Sequence, residues 1–180
     1  MKIEFLGSDK FTEKDRNDSY NLAKTFFPWI EDNNFISPDE VTYELMKKIY
    51  PNSVIFVKDG EKLIGHAFIL PCNKKIMNKF LSREINEKQM FYLMKKEVNE
   101  LNFNCIYLAS SFILPEYRNK GLATQSLVLA IKKLCKIGNK KNVVLFYESL
   151  TEEGDRLSKK IGDQLGFKIK GFKELYNKNI

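Results

Sequence analysis

The strongest constraint on the fold is an apolar segment that leads into a basic loop and then into an amphipathic helix. Residues 105–114 form a nearly unbroken apolar run, which is typical of a central strand buried on both faces. Apolar residues then recur at helical spacing over 122–137, and Gly138 closes this pattern. The segment therefore predicts a buried strand joined to a helix through a loop with one glycine.

The two halves of the chain differ in the order of their elements. Residues 54–57 and 63–70 are β-rich and flank an Asp-Gly turn, which predicts an antiparallel hairpin ended by Pro71. In the second half strands and helices alternate one by one. This order predicts a single α/β domain over residues 1–180, with a mixed sheet and helices on both faces. Further strands are predicted at 2–6, 143–148 and 167–176, and a further helix at 152–165.

Helix-start signals mark two helices before the hairpin. Thr12 and Asp15 form a capping-box pattern, which predicts a helix that Pro28 stops. Ser37, with proline at the next position, predicts the N-cap of a second helix that ends before Pro51.

An insert of residues 72–104 separates the third and fourth predicted strands. It is polar at first, and a helix is predicted from about Ser82. The apolar residues that carry this helical spacing are Ile85, Met90, Met94, Val98 and Leu101.

Composition excludes several classes of protein. No apolar run reaches the ~18 residues of a membrane span, and the first residues do not resemble a signal peptide. The 3 cysteines lie far apart and the chain has 1 histidine, so we expect a reduced, cytoplasmic protein without a metal site. The net charge of +7 suits a phosphate-bearing ligand, nucleic acid or lipid headgroups. Nucleic acid is disfavoured, because the basic residues are spread along the chain.

The basic loop before the helix at 122–137 predicts an anion site. The first N–H groups of a helix have no intrahelical partner, and the helix dipole is positive at this end. Gly121 allows close approach of the backbone, and Arg118 and Lys120 add positive charge at the rim. We interpret this turn as a pyrophosphate cradle.

These residues resemble the GNAT superfamily of acyl-CoA-dependent N-acyltransferases. The family signature [RQ]-x-x-G-x-[GA] is met by Arg118, Gly121 and Ala123. Pro115 follows the apolar end of the preceding strand, and the run ending at Phe167 resembles a late L-G-F motif. The resemblance implies a GNAT-like α/β (α+β) fold, with a mostly antiparallel sheet of six to seven strands and a helical insert between the third and fourth strands.

The resemblance also implies how acetyl-CoA would bind as cosubstrate. The backbone of the loop and first helical turn would hold the pyrophosphate, and the end of the preceding strand would pair with the pantetheine arm. One N–H of that strand, expected to be that of Ile113, would polarise the acyl carbonyl. The residues expected to bind CoA are Phe112, Ile113, Leu114, Arg118, Asn119, Lys120, Gly121, Leu122, Ala123, Thr124, Asp155 and Ser158.

Two departures from the family pattern concern the end of the chain. The family often has N-x-x-A-x-x-[LI]-Y in its last helix, and the tyrosine protonates the leaving thiolate; here Asp155 and Ser158 occupy the first two places and Gly162 the last. Another group could act as the acid, none could be needed, or the domain could bind CoA without turnover. The family usually adds a seventh strand, so we expect either six strands or an edge covered by a partner chain, as in a homodimer.

Candidate acid and base groups lie in two neighbouring strands. Tyr107, Tyr147 and Glu148 are the candidates, and Glu148 fits a general base best by type. We interpret Ser110 and Ser111 as strand residues without a catalytic role.

The remaining candidates have two interpretations each. His66 has a suitable pKa for a base, but without a visible partner it is expected to be structural. The cysteines are expected to be buried and inert. The insert either packs on the sheet, or walls the acceptor site or a dimer contact.

The leading hypothesis is an N-acetyltransferase that transfers an acetyl group from acetyl-CoA to a primary amine by direct attack. The acceptor would be an amine-bearing small molecule or peptide, and no membrane partner is expected. The alternative is a non-catalytic acyl-CoA-binding or regulatory domain.

Overall fold

The computed structural model describes residues 2–7, 10, 12–27, 32–36 and 40–174. A single six-stranded sheet carries six α-helices in this part of the chain. The strands are β1 (Ile3–Gly7), β2 (Val54–Asp59), β3 (Lys62–Cys72), β4 (Cys105–Ile113), β5 (Val144–Ser149) and β6 (Ile169–Lys173). The helices are α1 (Glu13–Phe26), α2 (Glu40–Ile49), α3 (Lys74–Leu81), α4 (Glu87–Glu97), α5 (Leu122–Ile137) and α6 (Glu152–Leu165).

The sheet is mixed, as the sequence predicts. The strand order is β1-β2-β3-β4-β5-β6, so each strand pairs with its neighbour in sequence. The first four strands are mutually antiparallel, whereas β5 runs parallel to both β4 and β6. The parallel pairs are connected through α5 and α6, since a parallel crossover needs a long connection. None of the helices in the described residues is long and apolar enough to cross a membrane.

Helices cover both faces of the sheet. On the first face, Ser19 of α1 contacts His66 of β3, and Glu87 of α4 contacts Tyr107 of β4. On the second face, α5 packs against β2, β3 and β4, and α6 packs against β5 and β6. A buried ion pair of 2.6 Å between Asp15 and Lys58 holds α1 against β2.

A β-bulge lies in β4. Phe68 pairs with Ser110 and Ile69 with Leu108, so Ala109 is the extra residue on β4. A bulge shifts the alternation of side chains by one position. Tyr107 and Ser110 consequently share the first face of the sheet.

The two central parallel strands diverge. The β4–β5 pairing holds Cys105 to Val144 and ends at Tyr107 opposite Phe146. β4 continues to Ile113 without a partner on that side among the described strands. A gap therefore opens between the carboxyl ends of β4 and β5.

Most predicted elements are confirmed, including the capping box at Thr12 and the buried central strand β4. Pro71 does not end β3, which continues to Cys72. The Ile69 N–H donates to the carbonyl of Ser53, on the β2 side of the strand, and the nitrogen of Pro71 faces the same side. Pro71 is tolerated because it lies beyond the start of β2 at Val54, where that strand has no carbonyl to pair with it. The predicted N-cap at Ser37 lies outside the described residues.

The insert differs from its prediction. It contains two helices rather than one, because Asn73 caps an additional helix, α3, whose apolar side buries Ile76 and Phe80. The polar start of the insert is the exposed side of this helix. The second helix ends at Glu97, and Leu101 is 67% exposed rather than part of the apolar helix face.

The final strand is shorter than predicted. The Phe167 N–H donates to the carbonyl of Gly162, so this residue takes part in the turn that closes α6 and is not in the strand. Pairing with β5 begins only at Ile169 and ends at Lys173. Residues 175–176 of the prediction lie outside the described residues.

Candidate active site

A cavity of about 180 Å³ occupies the gap between β4 and β5. Its lining comes from both faces of the sheet, with α1, α2 and α4 on one side and α5 and α6 on the other. The gap thus connects the two faces at the centre of the domain. The titratable groups among its lining residues are His66, Glu87, Tyr107 and Glu148.

The backbone of β4 directs free N–H groups into this gap. The Leu114 N–H donates to the carbonyl of Ile64 at 2.8 Å, so it points at β3. Because N–H directions alternate along a strand, those of Ser111 and Ile113 point away from β3, toward the gap. Arg118 Nε donates to the Ile113 carbonyl at 3.0 Å. Because the N–H and C=O of one strand residue point the same way, this bond agrees with an Ile113 N–H that points away from β3.

These directions refine the sequence predictions for β4. Ile113 has the outward N–H expected of it, whereas the N–H groups of Leu114 and Phe112 face β3. Ser111 was interpreted as a strand residue, but its N–H shares the direction of Ile113 and it lines the cavity. The bulge at Ala109 sets these N–H directions, and the sequence of β4 contains no residue pattern that predicts a bulge.

The loop before α5 has the backbone geometry of an anion site. Asn119 (φ 62) and Gly121 (φ 74) are both left-handed, a conformation that favours glycine at the second position. Within the described residues, no acceptor contacts the N–H groups of Leu122, Ala123 or Thr124 in the first turn of α5. These donors sit at the positive end of a 16-residue helix.

The basic side chains of this loop have defined positions. Besides holding the Ile113 carbonyl, the guanidinium of Arg118 lies 5.8 Å from the ring of Phe26. The ammonium of Lys120 lies 5.2 Å from the ring of Tyr117. Arg118 thus braces the end of β4 against the loop, in addition to supplying charge.

Glu148 lies in the cavity as a half-buried carboxylate. No hydrogen-bond donor contacts it among the described residues. Burial raises the pKa of Glu148 to about 7, and the negative charge of Glu174 adds to this, while Arg83 acts in the opposite direction. A carboxylate of this kind can accept a proton near neutral pH.

Tyr107 and Glu87 form the wall next to Glu148. The Tyr107 hydroxyl donates to Glu87 at 2.8 Å, and the Ile36 N–H donates to the second carboxylate oxygen at 2.8 Å. Burial raises the pKa of Glu87 to about 7, although both hydrogen bonds lower it; the charge of Glu148 contributes to the rise. Sequence reasoning missed Glu87, which lies in the first turn of an insert helix where acidic residues are common.

His66 has the partners that the sequence did not reveal. Its Nδ1 lies 3.0 Å from Ser19 Oγ and its Nε2 lies 3.1 Å from Ser110 Oγ. Its ring packs edge-on against Phe112 at 4.4 Å. Burial lowers the pKa of His66 to about 3, so the ring is neutral and orients Ser110 at the cavity wall.

The remaining predicted site residues are Tyr147 of β5 and two residues of α6, and they do not all face the cavity. Tyr147 faces away from the cavity, because its hydroxyl donates to Asp155 at 2.7 Å on the second face. Asp155 also accepts from Lys159 at 2.8 Å, whereas Ser158 lines the cavity. A side chain at Gly162 would meet Ile169 at 3.0 Å, so the strand β6 occupies the room a tyrosine would need.

Known structures share this architecture. AAC(6')-Iy in complex with the bisubstrate analogue CoA-S-monomethyl-acetylneamine superposes with a TM-score of 0.58 at 15% identity, with 100% of both chains covered. The loading GNATL domain of CurA from Lyngbya majuscula gives a TM-score of 0.54 at 15% identity, over 86% of this chain and 69% of that one. The ribosomal-protein-alanine N-acetyltransferase from Brucella melitensis biovar Abortus 2308 gives 0.51 at 12% identity, over 89% of each chain.

The divergent strands and the loop before α5 define an acyl-CoA N-acyltransferase fold. The sequence matches the Acetyltransferase (GNAT) family over residues 18–148, which is more than half of the chain. The chain therefore belongs to the GNAT acetyltransferase family. No curated protein sequence matches it.

Proposed function

We propose that this chain is a single-domain N-acetyltransferase that moves an acetyl group from acetyl-CoA to a primary amine. The divergence of β4 and β5 carries the proposal, because the N–H groups of Ser111 and Ile113 point into the gap beside Glu148, a carboxylate that accepts no hydrogen bond from the described residues. Each substrate can enter that cavity from a different face of the sheet.

The donor substrate would be held by backbone groups. The free N–H groups of residues 122–124 suit the pyrophosphate, and those of Ser111 and Ile113 suit the pantetheine arm and the acyl carbonyl. A fixed N–H aimed at the carbonyl oxygen stabilises the negative charge that develops there as the amine attacks.

Glu148 would serve as the general base. The amine nitrogen must lose a proton to become a nucleophile, and Glu148 has free lone pairs and a pKa raised to about 7. Glu148 takes one proton from the ammonium nitrogen, the free amine attacks the thioester carbon, and the C–N bond forms as the C–S bond breaks. The nitrogen then gives its second proton to the departing CoA thiolate, which leaves a neutral amide and a free thiol. Since β6 fills the space beside Gly162, we propose that the thiolate leaves without a tyrosine acid.

We propose a cytoplasmic location on the basis of the cysteines. Cys72, Cys105 and Cys135 are buried and free. Burial raises the pKa of all three thiols, Cys105 and Cys135 to about 11. Buried thiols without a disulfide support a reducing, cytoplasmic location.

Titration of acetyl-CoA into wild type and a Gly121→Asp variant tests the proposal. The new carboxylate would repel the pyrophosphate, so we expect binding to weaken by at least about 100-fold, a change of ~2.7 kcal/mol. Unchanged binding in this variant, or absence of binding to wild type, would contradict it. Thiol release with a panel of amines then separates an enzyme from a non-catalytic CoA-binding domain.

Gly166→Asp is the matched control. Gly166 also has a left-handed backbone (φ 65), at the C-terminal end of α6, with nothing within 4 Å of an added side-chain carbon. This variant introduces the same charge and the same backbone strain next to the start of β6, at the opposite edge of the parallel strands from the α5 loop. We expect its affinity for acetyl-CoA to equal that of wild type.

A further inference from the structure

The cavity between β4 and β5 has a charge that contrasts with the rest of the protein. Lys and Arg make up 30 of the 180 residues, yet neither type is found among the described residues that line the cavity. The only charged side chains in this lining are the carboxylates of Glu87 and Glu148. A chain with net charge +7 thus encloses an acidic cavity.

The two carboxylates come from different elements, Glu87 from α4 and Glu148 from β5, and they differ in their hydrogen-bond partners. Glu148 lies at the end of β5 without a hydrogen-bond donor among the described residues, as noted above. Glu87 accepts bonds from Tyr107 and from the Ile36 N–H, one on each oxygen, which leaves one lone pair on each oxygen. Each carboxylate can therefore accept a hydrogen bond from a separate ammonium group.

Much of the cavity lining is apolar, with Phe27, Phe35 and Phe68 together with Met46 and Leu108. The lining also has hydroxyl groups, and those of Ser110, Ser111, Ser149 and Thr151 already have hydrogen-bond partners within the protein. Such walls favour a hydrocarbon chain over a body rich in hydroxyl groups, because buried hydroxyls need hydrogen-bond partners.

We propose that the acceptor is a small aliphatic diamine, with one nitrogen acetylated beside Glu148 and the second ammonium paired with Glu87. This inference rests on the proposed function and names its substrate class. A dication neutralises both carboxylates, whereas a monocation leaves one of them buried and uncompensated or protonated. Burial raises the pKa of both carboxyl groups to about 7, and the described lining of the cavity contributes no cation beside them.

The same charge pattern excludes other amines. An amino acid or a peptide C-terminus would bring a carboxylate into a cavity that already holds Glu87 and Glu148, and the described lining offers it no cation. Like charges at close range destabilise each other, so such acceptors should bind poorly.

Four amines of equal chain length test the inference. They are 1,4-diaminobutane, butylamine, 4-amino-1-butanol and 4-aminobutanoate, which differ only in the terminal group. We expect kcat/KM for diaminobutane to exceed that for butylamine and aminobutanol by at least about tenfold, and 4-aminobutanoate to be the poorest. Equal rates for diaminobutane and butylamine, or a preference for 4-aminobutanoate, would overturn the inference.

The Glu87→Gln variant tests whether Glu87 binds the second ammonium group. We expect this variant to lose the preference for diaminobutane over butylamine, whereas Glu97→Gln, an exposed acid at the other end of α4, should keep it. A preference retained in Glu87→Gln would contradict the role of Glu87. If this variant does not fold, the four-amine series on wild type still decides the substrate class.

Calorimetric titration of the same four amines into the protein saturated with CoA separates the two proposals. Tighter binding of diaminobutane without thiol release from acetyl-CoA and any amine would refute the enzyme and retain the diamine site. Turnover of amines without a preference for diaminobutane would retain the enzyme and refute the diamine.

Discussion

The two sides of the candidate active site are built in different ways. The loop before α5 offers backbone N–H groups from consecutive residues, and its glycine and helix start make it visible in the sequence. The cavity between β4 and β5 is made of side chains, with Glu87 and Glu148 lying 61 positions apart in the chain. A site made of backbone depends on local conformation, whereas a site made of side chains depends on which distant residues the fold brings together.

Glu148→Gln gives the largest expected effect on the side-chain site. Loss of the proton acceptor should lower kcat by at least about 100-fold, as is typical of a general base. The affinity for acetyl-CoA should stay within about twofold of wild type, because backbone groups would hold that substrate. Thiol-release kinetics and acetyl-CoA titration measure the two quantities.

Glu153→Gln is the control for this prediction. Glu153 is an exposed acid in the first turn of α6 and pairs with Arg156 at the surface. Its loss removes the same charge, and kcat should not change. A Glu148→Gln enzyme with more than about a tenth of wild-type kcat would show that another group accepts the proton.

The pH profile is the next largest expected effect. Glu148 accepts a proton only when ionised, and burial raises its pKa to about 7, so kcat should rise about tenfold between about pH 6 and 8. Rates measured with saturating substrates test this. A rise centred near the ordinary glutamate pKa of ~4.3 would contradict the assignment.

The contribution of Glu148 to the free energy of unfolding should depend on pH in the opposite direction from kcat. A carboxyl group whose pKa is raised on folding binds more protons in the folded state between about pH 4.5 and 7, so its contribution falls as pH rises through that window. His66, whose pKa is lowered, opposes this trend below about pH 6.5. The unfolding free energy of wild type minus that of Glu148→Gln cancels the histidine, and it should fall as pH rises from about 4.5 to 7, as urea denaturation would measure.

Paired tyrosine variants sharpen the contrast between the two faces of the sheet. Tyr107 and Tyr147 each donate to a carboxylate, of Glu87 and Asp155 respectively. Replacement of either by Phe should cost about 1–2 kcal/mol of unfolding free energy, since one buried hydrogen bond is lost. Only Tyr107→Phe should raise the KM for the amine, because only Tyr107 lines the cavity. An equal rise in Tyr147→Phe would contradict this division.

The smallest effects are expected for side chains of the loop. Asn119→Gly keeps the left-handed backbone, and Thr124→Ala removes a hydroxyl without altering its N–H. Each variant should change the affinity for acetyl-CoA by less than about threefold. A larger loss, measured by titration, would show that side chains and not the backbone hold the cosubstrate.

The same division explains what the sequence could predict. The capping box at Thr12, the glycine at position 121 and the periodicity of α5 are local signals, and the structure has each of them as predicted. The mixed sheet was also predicted, from the order of these elements.

What could not be predicted depends on contacts between distant residues. His66 has partners in α1 and β4, and Glu87 gains its role through Tyr107. The side of the sheet that Tyr147 faces was equally invisible, since strand alternation gives two opposite faces and only packing tells which one α6 covers. The extra helix α3 was missed because its exposed lysines made the start of the insert resemble a loop.

The bulge at Ala109 makes the two sides of the site differ in how they can change length during evolution. A residue gained or lost between the bulge and Ile113 would turn the end of β4 over, so that its N–H groups would exchange sides. One gained or lost between Ile113 and Gly121 would move the loop before α5 relative to this strand. The same event inside residues 72–104 would only lengthen or shorten a connection that already holds two helices. We therefore expect related chains to vary in length at the acceptor wall and to keep one spacing from Ala109 to Gly121, so acceptor choice can diversify while the acetyl donor stays the same.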